Sequence, residues 1–227
     1  MRWWMIVSLL LTAAAFALVA VVWTHRAEWL PDRVPIHWGI DGKPDGWAPR
    51  DGMLPFLLMA PGVMLLMVGL AAALPWLSPA KFRIEPFRGT YEYIMTLVVA
   101  MFGYFHVVIV LASTEQLKAV DRWIVGGVLL LFAGMGNVLG KVQRNFYMGI
   151  RTPWTLANET VWTRTHRLAA WLFVAAGVIG MVLLLAGVHP LLAMSGVFIA
   201  AFVPVIYSLV LYKRMERQGL IKDEAQG

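Results

Sequence analysis

The 227-residue chain contains no cysteine, and only 14% of its residues are charged, against about a quarter in an ordinary soluble protein. The first absence excludes disulfides and every thiolate metal site. The second, set against 60% hydrophobic residues, excludes a water-soluble globule. A chain of this length cannot bury so much apolar surface, and the surplus must face lipid. Also missing are a glycine-rich phosphate loop, a spaced histidine cluster and a nucleophile with a base beside it. No enzyme and no cofactor is expected. The pI near 9.8 does not point to nucleic acid, because the basic residues sit at the edges of apolar runs rather than in one solvated patch.

A membrane-spanning helix needs about 20 mostly apolar residues, each rising about 1.5 Å through about 30 Å of hydrocarbon. Six stretches meet or approach this: 3–23, 53–77, 91–112, 123–140, 168–188 and 191–212. None has Asp, Glu, Lys or Arg in its middle. The fourth is shortest and is expected to gain a turn. Ala13-Ala14-Ala15 offers a signal-peptidase site, but the apolar run continues past it and five more spans follow, so the first helix is expected to stay uncleaved. The fold class is therefore an all-α membrane protein of about six transmembrane helices. Counted by alternate loops, Lys and Arg divide thirteen to six, which favours cytoplasmic N- and C-termini. The turn at His189-Pro190 is so short that the last two helices should form a tight hairpin. Pro55, Pro61 and Pro204 are expected to kink their helices. Gly136 and Gly140 have the spacing of a close helix approach.

Two loops are too long to be simple connectors. The first, external loop covers residues 24–52. Pro31 and Pro35 favour extended backbone, and Asp41-Gly42 and Asp45-Gly46 read as turn dipeptides, so a small hairpin is expected with Val34 to Trp38 as one arm. It is either a recognition surface anchored by Trp38 and Trp47 or a cap folded onto the helices. His25, His37, Asp41 and Asp45 are possible zinc ligands by type, but their spacing matches no metal pattern and the Asp-Gly turns explain both aspartates, so no metal is expected.

The second, cytoplasmic loop covers residues 141–167 and is richer. Thr152-Pro153 has the signature of a helix N-cap followed by proline at the first helical position. A helix starting there would run on into the fifth span, with Glu159, Trp162 and His166 on one face. Arg144, Arg151, Arg164 and Arg167 ring the same surface. The plain reading is basic anchoring, with Trp154 and Trp162 in the interfacial belt. The sharper one, favoured by the capping signature, is an ordered platform in which Arg151 pairs with a carboxylate such as Glu159 or with lipid phosphate. Within the spans the polar residues are few: Tyr104, His106, Asn137, Ser195 and Ser208. A small transporter would have to build its pathway from the first three.

The run Gly149-Ile150-Arg151-Thr152-Pro153-Trp154-Thr155-Leu156, with Asn137 and Asn145 before it and Glu159, Trp162 and His166 after it, resembles the SdpI family of bacterial membrane proteins. The stretch from Leu30-Pro31 through Pro35-Ile36-His37-Trp38, followed by Gly42, resembles the N-terminal membrane domain of unknown function that often precedes it. The resemblance implies that 1–80 are this N-terminal domain and 123–215 the SdpI-like region; 81–122 hold a third helix with connectors that carries no family motif, and 216–227 read as a disordered tail. It implies residence in the bacterial cytoplasmic membrane and immunity to, or sensing of, a secreted antimicrobial peptide. It also implies that a cytoplasmic repressor is held at the membrane. Two sets of residues would carry this: Asn137, Asn145, Gly149, Arg151, Thr152, Pro153, Trp154, Thr155, Glu159, Trp162 and His166 inside; Pro31, Pro35, His37, Trp38, Gly42, Asp45 and Trp47 outside.

Overall fold

The computed structural model describes residues 3–221, the Lys81 side chain excepted. Among them are six helices long and apolar enough to cross a membrane: α1 (Trp3–Thr24), α3 (Leu54–Leu77), α4 (Arg88–Ser113), α5 (Val120–Leu139), α7 (Glu159–Leu185) and α8 (Pro190–Arg217). Two short helices, α2 (Arg26–Trp29) and α6 (Pro153–Ala157), and an antiparallel hairpin, β1 (Arg33–Trp38) with β2 (Pro44–Pro49), occupy the two long loops. The chain is a multi-pass α-helical membrane protein.

Each spanning helix buries only part of its surface and leaves much of its apolar surface outward, as lipid exposure demands. In α1 the buried residues Ser8, Thr12, Ala15, Val19 and Val22 alternate steps of four and three. The polar members are satisfied: the Ser8 and Thr96 hydroxyls lie 2.9 Å apart, tying α1 to α4, and Thr12 donates to the Ser8 carbonyl. In the other half, glycines let backbones touch. A Cβ at Gly136 of α5 would lie 2.8 Å from the Ala170 carbonyl oxygen, and one at Gly177 of α7 would lie 2.6 Å from that of Leu129. Thus α5, α7 and α8 form one packed unit, α1 and α3 another, and α4 joins them.

The expected spans survive with shifted ends. The fourth gains its turn at the start, and the fifth begins at Glu159 because polar residues continue its helix below the apolar run. The α7–α8 hairpin turns through Gly187, at φ +88°. Pro55 lies in the first turn of α3, where proline displaces no hydrogen bond, whereas Pro61, Pro75 and Pro204 lie inside helices. Residues 216 and 217 belong to α8 rather than to a disordered tail; 222–227 lie outside the described residues.

Candidate functional site

The loop after α5 is organised by Asn145, which is fully buried. Its amide donates to the carbonyls of Gln143 (2.8 Å) and Met148 (3.2 Å), and its side-chain oxygen accepts from the N–H groups of Tyr147 (2.7 Å) and Met148 (2.8 Å). One asparagine thereby replaces the hydrogen bonds that a regular element would supply. Gly149 follows at φ +98°, a conformation that favours glycine.

Two buried rings on α7 fix the two ends of this loop. Trp162 donates its indole N–H to the Val142 carbonyl at 2.7 Å. His166 stacks on Trp162 at 4.0 Å between centroids, and its Nε2 accepts the Ile150 N–H at 2.9 Å. The other ring nitrogen, Nδ1, lies 2.8 Å from the Trp162 carbonyl and must donate to it. One nitrogen accepting and the other donating describes a neutral imidazole. Trp162 is therefore no interfacial anchor, because it is only 1% exposed.

Thr152 caps α6 as expected. Its N–H donates to the Thr155 hydroxyl at 2.8 Å, and its own hydroxyl accepts the Thr155 N–H at 3.2 Å, a reciprocal capping box. The helix does not continue into the fifth span. It stops after Ala157, and Asn158, in extended conformation, caps α7 afresh by accepting the Val161 N–H. Pro153 stands exposed at the first position of α6, and the Trp154 indole donates to the Ser208 hydroxyl of α8. Arg151 does not pair with Glu159. Its guanidinium is exposed and donates to the Phe146 carbonyl, while Arg144, partly buried, holds Glu159 at 3.7 Å and the Leu156 carbonyl at 2.9 Å. Asn137 is exposed on α5 and makes no hydrogen bond among the described residues, so it stands apart from the set.

At the opposite end of the bundle the hairpin lies on α1, α3 and α4. Val34, Ala48 and Leu30 are buried against Val19, Val22, Met53 and Leu57, and Ser113 at the end of α4 donates to the Pro35 carbonyl at 3.2 Å. Arg50 ties the base of the hairpin, donating to the Leu30 carbonyl at 2.8 Å and pairing with Asp32 at 2.7 Å. Pro31, half-buried, leads into β1, and the turn runs through Gly42 at φ +72°. Asp45-Gly46 is not a turn: both residues are in β2, with Gly46 opposite His37. The two tryptophans do not share a surface. Trp38 packs on Val108, Ala112 and Val120, whereas Trp47 is 48% exposed. His37 and Asp45 form an exposed pair at 2.5 Å; His25 instead stacks on Trp29, and no three potential ligands gather among the described residues.

Sequence reasoning missed Ser208, Asn158 and Ser113 as parts of these modules, and it placed Arg144 on the loop surface without its partner Glu159. Ser208 had a signal, being a lone hydroxyl in an apolar run, and Asn158-Glu159 has the form of a cap. The long-range partners of Arg144 and Ser113 leave no trace in spacing.

Residues 141–208 match the SdpI/YfhL protein family, and residues 10–65 match a domain of unknown function, DUF1648. Over 212 residues the chain is 25% identical to the immunity protein SdpI of Bacillus subtilis strain 168, an alignment covering 92% of this chain and 96% of that protein. The chain is thus similar to the SdpI family, and the resemblance read from its loop motifs is shown in both stretches. No solved structure matches it. The stretch matching the SdpI/YfhL family holds Asn145, Gly149, Thr152, Trp162, His166 and Ser208, and the DUF1648 stretch holds the whole hairpin; Asn137 lies outside both.

Proposed function

We propose that this chain is an immunity protein of the bacterial cytoplasmic membrane, with both termini inside, that protects its cell from a secreted membrane-active peptide. The observation that carries the reading is the alignment with an immunity protein over 92% of this chain and 96% of that protein. Charge supports the orientation. The hairpin end has six basic and seven acidic residues in sequence; the end with Asn145 and His166 has thirteen basic and six acidic. On this reading the hairpin faces the peptide. The rim of the inner module, where Arg151, Arg164, Arg167 and Phe146 are exposed, faces lipid phosphate and a cytoplasmic repressor.

A transporter gains little support. The cavity between α4 and α5 holds about 190 Å³ and is lined by Leu97, Ala100, Met101 and Leu130, and its Tyr104 hydroxyl already donates to the Trp123 carbonyl at 2.9 Å. The test is protection. A sensitive bacterium expressing the chain is challenged with the secreted peptide encoded beside it, and survival and membrane potential are followed. Both are expected to hold where the empty vector loses them. Equal killing with and without the chain would overturn the reading.

A further inference from the structure

We propose that the groove between the hairpin and the ends of α4, α5 and α8 is the peptide-binding site, taking an apolar side chain on its floor and a lysine or arginine of the same peptide on Asp121. The proposal rests on the immunity reading and gives it a place. The groove encloses about 360 Å³, and Ile36, Trp38, Ile109, Ile124 and Leu191 line it beside Asp121.

Asp121 is what makes this groove unlike the others. It is half-buried in the first turn of α5, pressed against the hairpin turn so closely that a Cβ at Gly42 would fall 2.3 Å from its Oδ1. No cation pairs with it among the described residues. The neighbouring cations are committed elsewhere. Arg122 spends its guanidinium on the carbonyls of Leu184 (2.7 Å), Gly187 (2.9 Å) and Val188 (3.2 Å), and Lys43 leans on Asp41 at 3.7 Å. A carboxylate beside apolar walls loses hydration, and the positive end of the α5 dipole offsets only part of that loss. A ligand cation would complete the site.

Depth selects a peptide over an acyl chain. Ile109 is one turn from the end of α4, Asp121 and Ile124 lie in the first two turns of α5, and Leu191 is in the first turn of α8. The groove is thus level with the helix termini, where amphipathic helices lie, and above the hydrocarbon interior. With seven acidic against six basic residues, this end presents no electrostatic barrier to a cationic peptide.

The test uses the whole protein in phosphatidylcholine nanodiscs, with benzoylphenylalanine in place of Ile40, an exposed residue at the groove mouth. The probe is a synthetic amphipathic helical peptide of leucine and lysine, compared with its Lys→Gln analogue. Light-induced cross-linking of the lysine peptide is expected to fall roughly tenfold in Asp121→Asn and to persist in Asp121→Glu. The glutamine analogue should cross-link weakly to all forms. Ile124→Trp, which fills the groove with Asp121 intact, should also lose the cross-link, and it answers the question if Asp121→Asn does not fold. Equal cross-linking of Asp121→Asn, or of the two peptides, overturns the proposal. So does displacement of the peptide by phosphatidylethanolamine, which would make the groove a lipid site. In the survival assay, a protective protein whose Asp121→Asn variant protects equally ends this proposal alone. A protein that cross-links as expected yet never protects ends the immunity reading instead.

Discussion

Gly149 and His166 are shaped to each other: a Cβ on residue 149 would lie 2.3 Å from the ring nitrogen that accepts the Ile150 N–H. The glycine therefore serves twice. It supplies the left-handed turn at φ +98°, and its missing side chain leaves room for the imidazole that secures the next residue.

Gly149→Ala should consequently cost more than a turn glycine usually does. The left-handed backbone alone costs about 1–2 kcal/mol for a residue with a Cβ, and displacing His166 forfeits a buried hydrogen bond worth about 1 kcal/mol. A loss of roughly 2–3 kcal/mol is expected, read as a lower unfolding temperature of the purified protein in detergent. An unchanged temperature would mean that the ring does not occupy this place.

The fold was largely legible because lipid imposes a simple rule. Six apolar runs of hydrocarbon length, free of central charges, leave few other solutions, and the shifted ends arise where polar residues such as Glu159 and Thr165 continue a helix past the membrane core. Local chemistry was legible too: Thr152-Pro153 caps a helix, and residues 33–38 form a strand. What sequence misjudged was pairing at a distance. Arg144 and Arg151 carry the same charge on the same loop, and only the path of the chain brings Arg144 to Glu159. Likewise Asp45-Gly46 has the composition of a turn, but the tighter turn around Gly42 leaves it paired within the hairpin.

Glycines in the spanning helices should separate into two classes. At Gly136 and Gly177 a methyl group would press on the backbone of the neighbouring helix, at 2.8 Å and 2.6 Å, and backbone cannot retreat as a side chain can. Gly136→Ala and Gly177→Ala should each destabilise by about 1–3 kcal/mol. At Gly62 and Gly69 nothing lies within 4 Å, so alanine there should be neutral or stabilising by up to about 1 kcal/mol through helix propensity. Thermal unfolding of the four single variants checks the division; a similar loss in all four would contradict the α5–α7 contact.

Ser208→Ala should loosen the segment 152–157 from α8. The substitution leaves the Trp154 indole N–H without its acceptor and also removes the hydroxyl that lies 3.4 Å from that of Thr152. An unpaired donor of this kind costs about 1–3 kcal/mol where water cannot reach it. The expected readout is faster tryptic cleavage after Arg151, with Trp154→Phe showing a smaller effect because it removes donor and partner need together. Identical cleavage rates in wild type and Ser208→Ala would show that this bond does not hold the segment.

The absence of cysteine makes orientation directly testable, since a single introduced thiol is the sole target for a maleimide. Lys43→Cys, at the exposed hairpin turn, and Arg164→Cys, exposed beside the inner module, change side chains that face outward, and neither removes a buried contact. A membrane-impermeant maleimide added to intact cells is expected to label position 43 and to reach position 164 only after permeabilisation. Each substitution removes one positive charge from its own side, so the inner excess of lysine and arginine is preserved and the topology should not invert. The reverse labelling pattern would put the His166 module outside, and with it would go the assignment of the hairpin groove to a peptide arriving from the exterior.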